Sequence, residues 1–300
     1  MTSDGSIEVI IPARNMADHL PAILRPLLEQ LTDRDRVTVA DDASNDATGQ
    51  VAGALGAKVV TVPESRGPYY ARQVAASTSA AGILIFTDGR CRPLPGWLEA
   101  HRELQSRPGV ALSCTNVRTI SGQTLAARVA ARQQPFHLRG MVGVPGRPDY
   151  FPTANLGIDR IAFEKVGGFR AMRSGGDADI CWRIQEQSLG TMAADARVLM
   201  EWEPRTTLRE LASQWKRYGG STAYLEWVYG EYSPRPFGTD ASLRIKLRAA
   251  MQQWRERFRG RPSEILAVAA MDGAFTYGYM AGKLKSREFA APVPYEAGAG

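Results

Sequence analysis

Acidic and basic side chains gather at four places in the first 90 residues, each directly after a short apolar run. They are Pro12-Ala13-Arg14-Asn15, Asp41-Asp42, the stretch Pro63–Gly67 with Arg66, and Asp88-Gly89-Arg90. Guanidinium groups can hold phosphate oxygens bidentately and carboxylates accept hydrogen bonds from a base or a sugar, so the set describes a nucleotide site in outline. A further carboxylate, Asp177, follows Gly175-Gly176 and precedes a predicted helix beginning near Ala178. Held at a helix start rather than deep in the core, it is placed to take a proton from a hydroxyl; capping that helix, with Asp179 in its first turn, is the other reading. Other chemistries lack their residues. The three histidines, His19, His101 and His137, form no HxxH or HExxH pair and there is no CxxC, which argues against a dedicated zinc site. No GxGxxG follows a strand, and Gly278 through Gly282-Lys283-Leu284 has neither the spacing nor the Ser or Thr of a P-loop, so dinucleotide oxidoreductases and P-loop kinases lose ground.

The elements that must position these groups read as alternating strands and helices. Ile7–Ile11 is a β-branched run ended by Pro12, and Asp18–Gln30 carries Leu20, Ile23, Leu24, Leu27 and Leu28 at helical spacing. Val37–Ala40 is a second strand, followed by a helix through Val51 and Leu55 that Asn45 or Asp46 could cap. Lys58–Val62, a helix over Pro68–Ala80 and the strand Gly82–Thr87 repeat the pattern. Such alternation implies parallel pairing, with ligands bound at the carboxyl ends of the strands, where the four clusters fall. Beyond Val110 the pattern loosens into a strand at Val110–Cys114, a helix near Leu125–Gln134 and a Gly/Pro-rich loop at Gly140–Pro152. Leu208–Tyr218 reads as helix, Ile265–Ala281 as an apolar stretch, and the Ala/Gly/Pro end after Glu288 should fray.

Composition bounds the class. With 300 residues, 44% hydrophobic and 23% charged, the chain is an ordinary globular protein of about two domains. No 18-residue apolar run and no basic leader with an apolar core are present, which makes the cytoplasm the expected compartment. Cys91, Cys114 and Cys181 are odd in number and far apart, and read as structural. A net charge of +6, from 37 Lys and Arg against 31 Asp and Glu, suits polyanionic partners. No DNA or RNA motif backs a nucleic-acid binder. The segment Arg244–Arg261 reads as a solvated helix face, with contact to an anionic lipid surface at the inner membrane face as the alternative. High Ala and Arg content points to a GC-rich, bacterial source.

Four segments in this order resemble family 2 glycosyltransferases of the GT-A fold, over roughly residues 7 to 225: VIIPARN (Val9–Asn15), VADDASNDAT (Val39–Thr48), GPYYARQ with LIFTDGRCRPLPGWL (Gly67–Gln73 and Leu84–Leu98), and GGFRAMRSGGDADICWRI (Gly167–Ile184). The resemblance implies an α/β fold with a Rossmann-like, mostly parallel central sheet flanked by helices. It places a nucleotide-sugar half at 1–110, an acceptor and catalytic half at 111–225 and a mainly helical extension at 226–300. It also implies an inverting transfer from a UDP-, GDP- or TDP-sugar to an acceptor hydroxyl on a glycan or small molecule, with Asp177 at the position of the catalytic base. Pro12, Ala13, Arg14 and Asp42 match the base and ribose positions, although DDASND is also a good turn and helix cap. Arg66, Arg72, Asp88, Gly89 and Arg90 fall at the diphosphate, while Asp179 and Trp182 fall on the acceptor side. Gln214, Arg217 and Tyr218 resemble the Gln-x-x-Arg-Trp sequence of processive relatives with Tyr for Trp; helical packing of Trp215 on Tyr218 is the alternative. Without spans, processive extrusion is not expected.

The departures from the family pattern matter. The family's Asp-x-Asp would hold Mg²⁺ or Mn²⁺ between the phosphates, yet here it reads Asp88-Gly89-Arg90. Either Arg90 takes over charge neutralisation from the metal, or it points to solvent and a cation binds weakly through Asp88. Gly176 stands where many relatives carry Glu, which removes one charge that would raise the Asp177 pKa. An altered metal motif also suits a degenerate member that binds nucleotide or glycan without turnover.

Overall fold

A computed structural model describes residues 5–144, 146–230 and 261–295. Strands β1 (Ile7–Ala13), β2 (Arg36–Asp41), β3 (Lys58–Thr61) and β4 (Ile83–Thr87) alternate with helices α1 (Leu20–Leu28), α2 (Thr48–Ala54) and α3 (Pro68–Ser77), as the apolar periodicity predicts. They pair in parallel in the order β3-β2-β1-β4. Every residue of β1 except Pro12 is buried, which is what helices on both faces of a parallel sheet require. Alternation divides those residues: Val9 and Ile11 join the core under α1 and α2, while Ile10 joins the core under α3.

The second half extends the same sheet. It contributes β5 (Cys91–Pro93), α4 (Trp97–Gln105), β6 (Val110–Thr119), α5 (Leu125–Gln133), β7 (Asn155–Asp159), α6 (Arg160–Lys165), α7 (Gly176–Glu186) and β8 (Thr191–Trp202). β7 lies antiparallel between β4 and β6, β8 runs parallel to β6, and β5 closes the far edge antiparallel to β8. The eight-stranded sheet is therefore mixed, with parallel pairing concentrated in the first 87 residues. One sheet spans the 110/111 division read from the sequence.

Helix α8 (Leu208–Tyr229) and helix α9 (Pro262–Leu284) complete the described chain. The two run side by side, and glycines set the spacing. A β-carbon on Gly219 would lie 2.0 Å from the Phe275 carbonyl oxygen, and one on Gly278 would lie 1.9 Å from that of Lys216. The glycines near Lys283 are thus contact points between helices. All but the last residue of Arg244–Arg261 lies outside the described residues.

Residues 289–295 correct the expectation of fraying after Glu288; residues 296–300 lie outside the described residues. The Phe289 ring meets Tyr224 and Trp227 edge-on, at 5.1 and 5.7 Å between centroids. Tyr224 Oη donates to the Ala290 carbonyl at 2.8 Å, the Ala171 amide donates to the Val293 carbonyl at 2.7 Å, and Arg170 forms an antiparallel bridge with Pro294. Aromatic anchors and backbone pairing outweigh the weak propensities of the segment, so residues 289–295 are docked.

Candidate active site

The carboxyl ends of β1, β2 and β4 open into a cleft of about 1160 Å³, closed on the other side by the start of α7 and by α8. At one end, Asp42 follows β2 and is 5% exposed; its carboxylate accepts from Ser65 Oγ at 2.8 Å and from the Arg66 amide at 3.2 Å. Arg14, after β1, donates to the same Ser65 hydroxyl. This chain ties three loops together. Gly67, at φ 93°, turns the Pro63–Gly67 loop into α3, and Pro68 supplies the preset first turn.

Arg72 projects from α3 into the floor of the cleft, 2% exposed and ion-paired with Asp88. Its Nε is buried with no protein acceptor. The end of the Met16 side chain packs over the residue after Asp88: a β-carbon on Gly89 would lie 2.4 Å from Met16 Sδ, so a larger residue there requires Met16 to move. Arg90 turns away from the cleft toward the Pro204 carbonyl, 3.5 Å from its Nη1. Arg205 and Arg217 line the cleft where sequence reading set Arg90. Burial lowers the Arg205 pKa first, and the charge of Arg90 adds to it. Arg205 follows β8 as the other site residues follow β1, β2 and β4; a strand assignment at 191–202 would have exposed it.

Asp177 is the second residue of α7, entered through Gly175 at φ 88°. Its Oδ1 accepts from the Ala178 amide at 3.0 Å and lies 3.4 Å from Tyr69 Oη. Burial raises its pKa, opposed by the Ala178 amide and by Arg72. The carboxyl is therefore perturbed upward by its surroundings without a neighbouring Glu. The Tyr69 phenol is pushed up by burial and by the charge of Asp177, so it stays a proton donor. Its guanidinium neighbour Arg72 sits 5.4 Å from the ring centre. Gly176 packs flat on the same ring: a β-carbon there would lie 3.0 Å from the Tyr69 ring atoms.

Of the residues singled out in the sequence, Pro12, Ala13, Arg14, Asp42, Arg66, Arg72, Asp88, Asp177, Trp182, Arg217 and Tyr218 line this one cleft. Gly89, Arg90, Asp179 and Gln214 do not. Asp179 is fully buried, accepting from Arg170 Nε at 3.1 Å, Arg183 Nη2 at 2.8 Å and Tyr229 Oη at 2.6 Å. It locks α7 to the end of α8. Gln214 donates to Tyr218 Oη at 2.8 Å from a buried position. Burial pushes the Tyr218 phenol up to about 12. Trp182 donates its indole N–H to the Pro148 carbonyl at 3.1 Å and meets Tyr150 edge-on. Trp215 does pack on Tyr218, at 5.9 Å, and both rings also line the cleft.

Among the described residues no three His, Cys, Asp or Glu side chains gather as a cation site. Asp88 is the one carboxylate at the diphosphate end of the sequence motif, and it is held by a buried guanidinium. A divalent cation held here would have Asp88 as its protein carboxylate and would take its other oxygen ligands from the donor and from water.

Sheet order and cleft together define a GT-A-type fold. The fold is similar to mannosyltransferase PcManGT from Pyrobaculum calidifontis, solved with GDP-Man and Mn²⁺, at a TM-score of 0.56 and 17% identity over 94% of this chain and 77% of that one. It is also similar to glucosyl-3-phosphoglycerate synthase from Mycobacterium tuberculosis, solved with Mn²⁺, UDP and phosphoglyceric acid, at a TM-score of 0.51 and 22% identity over 74% of this chain and 77% of that one. Residues 8–177 match the description "Glycosyl transferase family 2", more than half of the chain, and the chain belongs to that family. A pre-mycofactocin glycosyltransferase from Mycobacterium tuberculosis is 32% identical over 232 residues, covering 74% of this chain and 48% of the relative. The chain thus spans about half the length of that relative.

Proposed function

We propose that the protein is an inverting, non-processive glycosyltransferase that moves a sugar from a nucleoside diphosphate sugar to an acceptor hydroxyl, with Asp177 as general base. The observation that carries this reading is that the Asp177 carboxyl and the guanidinium groups of Arg72, Arg205 and Arg217 line the same cleft. In the transfer the acceptor oxygen bonds to the anomeric carbon as the bond from that carbon to the diphosphate oxygen breaks. The hydroxyl proton passes to Asp177, and the electron pair leaves on the diphosphate. Positive charge preorganised beside the departing group lowers the barrier, since it acts where charge develops. A single displacement inverts the anomeric centre.

Pro12, Ala13, Arg14 and Asp42 hold the nucleoside end in this reading; Arg66 joins them instead of the diphosphate group set by the sequence, because its amide donates to Asp42, and Trp182 with Tyr218 forms the acceptor side. Solved relatives carrying GDP-Man or UDP support a nucleotide-linked donor. Relatives named for pre-mycofactocin and 4,4'-diaponeurosporenoate support a small-molecule acceptor; the second, from Staphylococcus haemolyticus, is 43% identical over 28% of this chain and 24% of its own length. No described helix is long and apolar enough to cross a membrane, and we assign the reaction to the cytoplasm with its product free to leave the cleft after one transfer.

The test is Asp177→Asn, assayed by release of nucleoside diphosphate from UDP-glucose and GDP-mannose and by UDP and GDP binding. The variant loses turnover by about 10²–10⁴-fold while nucleotide affinity stays within about twofold of wild type, inside the range a change away from the nucleotide leaves. Full turnover in the variant overturns the role of Asp177. Binding without turnover in the wild type would leave a nucleotide-binding protein.

A further inference from the structure

We propose that the C-terminal segment of the chain completes the nucleoside end of the cleft, with Tyr295 as the residue that recognises the planar base of the donor. The inference rests on the nucleotide-sugar reading above and adds to it a residue from the far end of the sequence. Tyr295 lines the cleft together with Asp42 and Arg66, although 253 residues separate it from the first of these. Its ring lies 5.2 Å from that of Tyr70 at an interplanar angle of 58°. The Arg66 guanidinium sits 4.3 Å from the Tyr70 ring centre and 5.8 Å from that of Tyr295. Two aromatic faces therefore hold one cation at the mouth of the cleft, beside the carboxylate of Asp42.

That grouping fits a nucleobase. A flat, electron-rich ring gains from stacking on an aromatic face and from a nearby guanidinium plane, and a base edge gains from a carboxylate acceptor. The position of Tyr295 is fixed independently of any ligand. Pro292 is buried, the Val293 carbonyl accepts from the Ala171 amide, and Pro294 bridges Arg170. The strand of chain that carries Tyr295 is thus paired with the loop Arg170–Gly175, which leads directly into Asp177 at the start of α7.

The test compares UDP, GDP and TDP binding by calorimetry in wild type, Tyr295→Phe, Tyr295→Ala and a chain stopped after Ala291. Tyr295→Phe keeps the stacking face and binds within about twofold of wild type; Tyr295→Ala and the shortened chain lose about three- to thirtyfold. In donor hydrolysis, KM for UDP-glucose or GDP-mannose rises by the same factor in Tyr295→Ala while kcat and the melting temperature hold, a split that a merely structural role would not produce. Unchanged affinity in Tyr295→Ala, with wild type binding normally, overturns the assignment of Tyr295 and leaves the proposed function standing. Tighter binding in the shortened chain overturns it too, because the segment would then obstruct the cleft. If the wild type binds none of the three nucleotides, the proposed function fails and this inference fails with it.

Discussion

Arg205 carries the charge question at the residue scale. Arg90 is the arginine that a motif reading selects, yet it hydrogen-bonds the Pro204 carbonyl, and the chain leaving β8 brings Arg205 to the cleft instead. In the proposed transfer the diphosphate meets guanidinium groups, and Asp88 is already ion-paired with Arg72. Donor turnover should therefore persist in excess EDTA, and Arg205→Ala should lower kcat by about 10- to 10³-fold, the cost of removing a group that stabilises developing charge. Strict dependence on added Mg²⁺ or Mn²⁺, or an Arg205→Ala enzyme of normal kcat, would refute this. That Asp177 and Asp42 face one cleft was legible because each sits in a short local motif at a predicted element boundary. The cleft positions of Arg205, Tyr69 and Tyr295 were not, because they arise from contacts between segments distant in sequence. Asp179 lies two residues beyond Asp177 and is a buried ionic lock, since two helix positions on, a side chain faces about 200° away.

Among elements, the first four strands were readable because each is a compact apolar run bounded by turn residues. Of the later strands, the first half of β6 was read at Val110–Cys114, while β7 and β8 were not, for different reasons. β7 is five residues long and follows the Gly/Pro-rich loop Gly140–Pro152, while β8 is bulged against β6 and none of its first nine residues is buried, so neither shows clean alternation. The pairing of α8 with α9 was equally invisible, because it depends on glycines that a local reading counts as helix weakeners. It yields a prediction with a built-in contrast. Gly278→Ala places a β-carbon against the Lys216 carbonyl and forces the helices apart, costing about 1–3 kcal/mol in denaturant unfolding. At Gly273, where a β-carbon meets nothing within 4 Å, the same change should be stabilising by up to about 1 kcal/mol. Equal effects at both positions would refute close helix contact.

The whole molecule is fastened where its two halves share one sheet. His101 of α4 lies at that junction, fully buried, with Nδ1 2.8 Å from Ser113 Oγ of β6 and Nε2 2.9 Å from Asn155 Oδ1 of β7. Asn155 also accepts from the Trp97 indole at 2.7 Å and donates to Thr115 at 2.8 Å. Burial lowers the His101 pKa to about 4 from its ordinary 6.5. Between those values the unfolded chain binds a proton that the folded chain excludes, so stability contributed by neutral His101 is present above pH 6.5 and lost as pH falls toward 4. The loss reaches at most about 3 kcal/mol. Urea midpoints at pH 7 and pH 5 measure it: the wild type should drop, and His101→Gln should drop less. An identical drop in both would show that His101 does not govern acid lability.

The flat contact between Gly176 and the Tyr69 ring reaches beyond a single chain. A side chain at position 176 makes the Tyr69 ring give way by a few tenths of an ångström, which couples the two positions during divergence. Homologous sequences should sort into a lineage pairing glycine with tyrosine and another pairing a larger residue with a slimmer partner, a two-letter signature for classifying genomes before any assay is run.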